Sequence, residues 1–187
     1  EHALPIAGPF DILQARSLFE GAIAEEAARL ATVDDIAAID TLLDQMRGAA
    51  HPGQQSVAVD RAFHVAVAGI LGNDAVTKVV GELFDQRINP YFARLASHFE
   101  NADSWQAALN EHQTLRDRLA AHDAIGAKAA MQAHLRQSQI RFSKTFGEAM
   151  PAAPQRTGAR QPGKTRTRVA AAPKSSQETT KPRRTHP

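Results

Sequence analysis

The sequence contains no cysteine, which excludes disulfides and thiolate metal sites. It has no run near the roughly 20 apolar residues that a membrane span needs, and no signal peptide is visible at the N-terminus. Long β-branched or alternating runs are also missing, which disfavours strands. These absences predict a cytoplasmic, all-helical protein with no membrane association. With 187 residues, 43% of them hydrophobic, the chain is long enough for one domain with a core.

Charge is distributed unevenly along the chain. Residues 1–150 contain 13 Lys and Arg against 19 Asp and Glu, whereas residues 151–187 contain 9 Lys and Arg and a single acidic residue. The basic tail, which we assign to 149–187, is rich in Pro, Gly, Ser and Thr and should be disordered, because it cannot bury enough apolar surface. It is either a solubilising tail or a weak, non-specific contact for nucleic acid through residues 151–187.

Residues 1–10 read as a linker, and residues 11–148 read as one helical domain. Abundant alanine, helical spacing of apolar residues and short loops predict six helices in a mostly antiparallel bundle. The six helices that we delimit are 11–30, 33–48, 55–71, 73–98, 103–122 and 124–147. Pro90 should kink or break the fourth. The helix starts have candidate caps, namely Thr32 or Asp34, Asn73 or Asp74, Asp103 or Ser104, and Asp123.

Polar side chains interrupt the apolar stripes of three helices. In "DRAFHVAVAG", Asp60 and His64 lie one turn apart on the stripe that should face the core. His112 lies on the stripe of the fifth helix, and His134 lies on that of the sixth. Because His112 and His134 are equidistant from the turn at Asp123, they can face each other across a helical hairpin. If the third helix packs against this hairpin, Asp60 and His64 complete a ring of one carboxylate and three imidazoles.

Such a ring suits one divalent transition metal, with zinc as the first choice and Ni, Mn, Fe or Co as alternatives. Each residue alone has a simpler explanation. A single inward histidine is usually a hydrogen-bonded core residue, and Asp60 could be a helix N-terminal charge or a partner for Arg61 or Arg16. The joint pattern favours a metal site.

Arg16 is the second unexpected residue. We place it on an apolar face of the first helix with Ile12, Phe19, Ile23 and Leu30. A buried guanidinium must be paired, since an isolated buried charge costs several kcal/mol. Its partner is either Asp60 or the carboxylate of a ligand held between Arg16 and the metal.

Three segments resemble one known family. "DILQARSLFEGAIAEEAARLA", "DRAFHVAVAGILGND" and "ALNEHQTLRDRLAAHDAIGAKAAMQAHL" are similar to the motifs of the FCD domain, over about residues 11–147. This domain is the helical C-terminal ligand-binding domain of FadR-like members of the GntR family of bacterial transcription regulators. The separations among Asp60, His64, His112 and His134 match the family's metal-binding subset.

The resemblance implies an all-α fold, namely an antiparallel bundle of six to seven helices that encloses a metal or ligand cavity, and several residue roles. Asp60, His64, His112 and His134 would bind the metal, Arg16 and Arg87 would bind a small organic acid effector, and the domain would form a homodimer. Family members normally begin with a winged helix-turn-helix of roughly 70 residues, and the chain as given starts at about the interdomain linker. DNA would therefore be bound through that absent domain, because the basic tail cannot replace a recognition helix.

Two other functions are possible from the residues alone. A metal with three His and one Asp could serve an enzyme that activates water or oxygen. Against this, we find no well-placed general base beyond the ligands themselves. Glu111, next to His112, should point about 100° away on its helix, so we predict that the chain is not an enzyme. The third function is a metal-free interaction domain whose histidines merely pack.

Overall fold

The structure, a computed structural model, describes residues 8–48, 53–86 and 101–146. Within these ranges it has six helices and no strand, which confirms the all-α prediction. The helices are α1 Pro9–Leu30, α2 Val33–Gly48, α3 Gln54–Gly69, α4 Asp74–Asp85, α5 Ala102–Ala120 and α6 Ala124–Phe146. Arg87, Pro90, most of the linker and the tail lie outside the described residues.

Three of the predicted caps begin helices as expected. The Asn73 side chain accepts hydrogen bonds from the backbone N–H groups of Ala75 and Val76, at 3.0 and 3.3 Å. Asp123 accepts from the N–H of Gly126 at 2.8 Å, and Thr32 exchanges hydrogen bonds with Asp35. These oxygens satisfy backbone donors that have no partner inside the first turn.

The predicted cap of α5 is wrong by two to three positions. Asn101 is the N-cap, and its side chain accepts from the N–H of Ser104 at 2.9 Å while the Ser104 hydroxyl accepts from the N–H of Asn101 at 2.9 Å. Asp103 lies inside the first turn, where its negative charge interacts favourably with the partial positive charge of the helix N-terminus. The reciprocal pair thus begins the helix earlier than a single-residue reading of "NADSW" indicates.

The bundle is built around two long neighbours, α1 and α6. Helix α5 also packs on α6, because a turn of three residues joins them as an antiparallel hairpin. On the other side, α3 packs against α2 and α4, and α2 packs against α5. The Trp105 indole donates to the carbonyl of Met46 at 3.1 Å and ties the start of α5 to the end of α2.

A core of leucine, alanine, methionine and phenylalanine side chains fills the space between the helices. Phe63, Leu115, Leu119, Met131 and Leu135 are fully buried, and each such side chain contributes about 1.5–3 kcal/mol to stability. The same interior contains charged and polar residues, namely Arg16, Glu20, Asp60, His64, His112 and His134. Buried charges are tolerated only when paired or bound to a metal.

The predicted apolar face of α1 is partly wrong. Phe19 and Leu30 are 54% and 48% exposed, whereas Glu20 and Ala24 are buried beside Arg16. Small side chains decide the inward face, because α1 approaches α6 closely. A Cβ atom added at Gly21 would lie 2.8 Å from Cγ of Gln132 on α6. The close approach of α1 and α6 therefore places Gly and Ala on the inward face of α1, in place of the larger residues that apolar spacing predicted there.

Among the described helices, none combines the length and the apolar character that crossing a membrane would require.

Candidate metal centre

The four predicted metal ligands come together inside the bundle. Asp60 and His64 project from α3, His112 from α5 and His134 from α6, and all four are buried. One ligand atom from each residue can be chosen so that all four lie within 4.8 Å of one another. The i, i+4 spacing places the first pair one turn apart, and the hairpin brings the other two to the same height.

The spacing of these atoms can be compared with that of metal ligands. Asp60 Oδ1 lies 3.5 Å from His64 Nε2 and 3.4 Å from His112 Nε2, which is long for a hydrogen bond. Two ligands about 2.1 Å from a tetrahedral zinc ion lie about 3.4 Å apart. The donor atoms therefore fit a divalent transition metal, and the donor set of imidazole and carboxylate suits it.

His112 and His134 face each other as the hairpin symmetry predicted. Their ring centroids lie 4.3 Å apart, and the His64 centroid lies 5.3 Å from each of them. Neither ring nitrogen of His112 has a hydrogen-bond partner among the described residues, although both are buried. Such unpaired buried nitrogens are costly and call for an explanation. A metal ion would use one of them as a ligand.

The surroundings favour neutral imidazoles at two of the three histidines. Burial, followed by the neighbouring charge of His134, holds the pKa of His112 well below its usual value. Burial also lowers the pKa of His134, against an opposing hydrogen bond with Glu111. A neutral imidazole has the free lone pair that a metal ligand needs.

His64 belongs to a chain of three contacts that we call the inner triad: Arg16, Glu20 and His64. Arg16 Nε donates to Glu20 Oε1 at 2.6 Å, and Glu20 Oε2 lies 2.5 Å from His64 Nδ1. Burial raises the pKa of the Glu20 carboxyl, but the charges of Arg16 and His64 outweigh burial and bring it down to about 2. Burial lowers the pKa of His64, and the Glu20 carboxylate more than reverses this.

His134 belongs to a second chain, the outer triad: Arg141, Glu111 and His134. Arg141 binds Glu111 through two hydrogen bonds of 2.7 and 3.0 Å, and Glu111 Oε2 lies 2.8 Å from His134 Nδ1. Helical spacing predicts that Glu111 points about 100° away from His112 on its helix. It does point away from His112, but the facing helix presents His134 on that side. Burial raises the pKa of Glu111, and the hydrogen bonds from His134 and Arg141 lower it overall.

Arg16, the predicted effector ligand, lies at the edge of this site. Its ion-pair partner is Glu20, a residue of its own helix that the sequence analysis overlooked, rather than the Asp60 suggested there. Its guanidinium carbon lies 4.6 Å from the centroid of the Phe84 ring, which it covers. Arg61, the other suggested partner of Asp60, binds Asp85 at 2.6 and 2.8 Å. Arg87 stays a prediction.

Two sequence signals could have found the glutamates. Glu20 is four residues after Arg16, the spacing at which opposite charges meet on a helix. Glu111 lies one position from His112, so the hairpin that pairs His112 with His134 also brings Glu111 near α6. Both residues were missed because their contacts with His64 and His134 depend on which side of α1 and of α5 the neighbouring helix packs.

The fold and this four-residue cluster define an all-helical domain with a candidate metal centre. The model of the FCD domain family matches residues 11–137. The chain therefore belongs to the FCD domain family of GntR-type transcription regulators, which confirms the resemblance found in the sequence.

The relatives are named regulators. The Uxu operon regulator of Haemophilus influenzae is 34% identical over 144 residues, covering 76% of this chain and 54% of that protein. The Exu regulon transcriptional regulator of Escherichia coli K12 is 35% identical over 136 residues, covering 71% and 51%. The chain spans about half the length of these two relatives. In fold it is similar to Escherichia coli McbR/YncC, with a TM-score of 0.64, 19% identity and coverage of 77% and 69%.

Proposed function

We propose that this chain is the effector-binding and dimerisation domain of a transcription regulator, and that it binds one divalent transition metal, preferably zinc. Asp60, His64, His112 and His134 would hold the metal. When bound, the metal would supply a positive charge, and with more than four ligands it would also offer coordination positions to the oxygens of a small organic acid. The observation that carries this proposal is the convergence of four buried donor atoms at metal-ligand spacing.

The effector would be a small carboxylate or hydroxycarboxylate. Arg16 is the candidate for binding its carboxylate, since a guanidinium matches two carboxylate oxygens with two parallel hydrogen bonds. In the structure these donors engage Glu20, so an effector would share or displace that contact. Arg87 is proposed for the same role from the family resemblance alone.

Regulation would follow from a difference in affinity. A ligand shifts an equilibrium only as far as it binds one arrangement better than the other. We propose that effector binding changes the arrangement of a homodimer and so changes DNA affinity. DNA would be bound by a winged helix-turn-helix outside these 187 residues. Sedimentation of the purified chain at several concentrations tests the dimer, with a constant monomer mass as the contrary result.

The enzyme alternative gains no support from the relatives, which are named as transcription regulators. The prediction that the chain is not an enzyme agrees with the family to which it belongs.

The decisive experiment is metal content by inductively coupled plasma mass spectrometry on tag-free chain. Wild-type protein should contain, or take up from a zinc solution, about one transition metal ion per chain. His134→Ala should lose it, because one of the four ligands is gone. The matched control is His122→Asn, since His122 contacts the carbonyl of Ala28 and lies in the α5–α6 turn with a φ of 53°. Asparagine tolerates that backbone conformation.

Equal metal content in wild type and His134→Ala would contradict the proposed site. No uptake by wild-type protein would mean that the histidines are core residues, as in the metal-free alternative.

Effector binding is tested separately, by thermal shift with a panel of small carboxylates on the zinc-loaded chain. Stabilisation should depend on zinc and should weaken in Arg16→Lys, which keeps the charge but not the paired donors. Stabilisation without zinc would contradict the metal's part in effector binding.

A further inference from the structure

We propose that Glu20 and Glu111 are positioning residues of the metal centre, which fix the tautomer and ring orientation of His64 and His134. This inference rests on the metal site proposed above and adds the residues that support its ligands. Glu111 Oε2 lies 2.8 Å from His134 Nδ1 in a hydrogen bond, and Glu20 Oε2 lies 2.5 Å from His64 Nδ1 in an ion-pair contact that lacks hydrogen-bond angles. Neither glutamate belongs to the four-residue cluster.

The contact has a direct consequence for the imidazole ring. A neutral imidazole carries one N–H and one free lone pair, and a carboxylate accepts the N–H. With a glutamate at Nδ1, the proton resides there and the lone pair is left on Nε2. Nε2 of His64 is the nitrogen that faces Asp60, at 3.5 Å. The glutamate therefore selects the tautomer in which the metal-facing nitrogen can bind.

The two glutamates are themselves held in place. Arg16 fixes Glu20 through a 2.6 Å hydrogen bond, and Arg141 fixes Glu111 through two hydrogen bonds. A glutamate side chain has three rotatable bonds, so an arginine bound to both carboxylate oxygens restricts where they point. The arrangement arginine–glutamate–histidine occurs twice, on different helices, around one cluster. Carboxylates that bind the far nitrogen of a ligating histidine commonly orient it and raise its basicity.

His112 provides an internal contrast. Its ring nitrogens lack hydrogen-bond partners among the described residues, as do those of His64, but no glutamate of these residues contacts its Nδ1. Its ring packs on Phe63 with centroids 4.3 Å apart. Packing alone therefore orients this ring. If the glutamates served only to neutralise the arginines, an arginine–glutamate pair without a histidine contact would suffice. In both pairs, instead, the glutamate oxygen Oε2 contacts a candidate metal ligand as well as the arginine.

A purely structural role predicts a different outcome from a positioning role, so the test uses Glu111→Gln and Glu20→Gln. Glutamine has the same shape but no charge, and its amide group can donate to Nδ1 and so stabilise the wrong tautomer. Zinc affinity is measured by competition with a chromophoric chelator. We expect it to fall about 10–100-fold in each variant. Glu26→Gln is the matched control, because Glu26 is on α1 but contacts only the exposed Arg29 among the described residues; its zinc affinity should equal that of wild type.

A second readout needs no metal and is made on the metal-free chain at about pH 8. Long-range ¹H–¹⁵N correlation spectra distinguish the Nδ1–H from the Nε2–H tautomer of each histidine. His134 should be the Nδ1–H tautomer in wild type and should gain Nε2–H character in Glu111→Gln. If Glu20→Gln fails to fold, Glu111→Gln alone still tests the positioning role. This variant should fold, because 19% of the Glu111 side chain is exposed to solvent.

The outcomes separate this inference from the proposed function. Zinc affinities of both variants within twofold of wild type, or an Nε2–H tautomer of His134 in wild-type protein, would overturn the positioning role while leaving the metal site intact. Absence of zinc binding by the wild type would refute the metal site, and the tautomer of His134 would then decide alone whether Glu111 orients the ring. Lowered affinity together with a shifted tautomer supports both.

Discussion

The inner and outer triads make the same contacts in different surroundings. Arg16 and Glu20 have 1% of their side chains exposed and His64 none, whereas Arg141 and Glu111 have about a fifth exposed. Water can replace a lost partner in the outer triad but not in the inner one. Breaking a fully buried arginine–glutamate pair is therefore expected to cost much of the folding stability. Breaking a partly exposed pair is expected to cost little, because water can solvate the remaining charge.

The triads also join different elements. The inner triad links α1 to α3, which are distant in sequence, and the outer triad links the two helices of the α5–α6 hairpin. A change in the inner triad should therefore disturb the whole bundle. A change in the outer triad should stay local, because the short turn already keeps its helices together.

The largest effect should come from Arg16→Met. This change leaves Glu20 buried without its cationic partner on α1, and breaking a buried ion pair in this way costs about 3–5 kcal/mol. Urea unfolding of the metal-free chain measures the free energy of unfolding. The double variant Arg16→Met/Glu20→Gln should recover part of the loss, because the buried negative charge is gone as well. A loss under about 1 kcal/mol would show that water reaches the inner triad.

The next effect has the opposite sign and concerns the histidine that has no triad. His112→Leu should stabilise the metal-free chain by about 1–2 kcal/mol, because it removes two buried nitrogens that lack partners. The same change should abolish zinc binding. Urea unfolding and metal analysis of the same samples check both. Destabilisation by more than about 2 kcal/mol would mean that the imidazole has a structural contact that the leucine does not replace.

Arg141→Met should cost about 1 kcal/mol or less, since the partly exposed Glu111 carboxylate can then be solvated. Comparison with Arg16→Met under identical urea conditions is the direct test of the difference between the triads. Equal losses from the two substitutions would contradict it. We expect zinc affinity to fall modestly in Arg141→Met, because Glu111 keeps its contact with His134 but moves more freely.

The smallest effect should come from an ion pair outside both triads. Arg61 and Asp85 are 37% and 44% exposed, although their hydrogen bonds are as short as those of the inner triad. Arg61→Met should cost about 0.5 kcal/mol in dilute buffer and nothing measurable near 1 M NaCl, where the screening length is about 3 Å. A loss independent of salt would indicate that packing of the side-chain stem matters more than charge.

Much of this architecture could be predicted from local patterns. The helical spacing of apolar residues predicted six helices, and Asn73, Thr32 and Asp123 act as the caps that were expected. A helical hairpin relates positions equidistant from its turn, which predicted that His112 and His134 face each other. Convergence with Asp60 and His64 also required α3 to lie beside this hairpin, which residue spacing does not decide. Predictions failed where one helix had two plausible inward faces, as at Phe19 and Leu30.

The sequence by itself determined the helices, the hairpin and the inward direction of Asp60, His64, His112 and His134, since these follow from residue spacing along single elements or across one short turn. Only the tertiary structure decided that Glu20 and Glu111 contact those histidines. Each of these contacts depends on the rotation of two packed helices about their axes. On α1 the close approach of Gly21 to Gln132 of α6 is one packing contact that limits this rotation. Such packing is a property of the assembled bundle, so no single stretch of sequence encodes it.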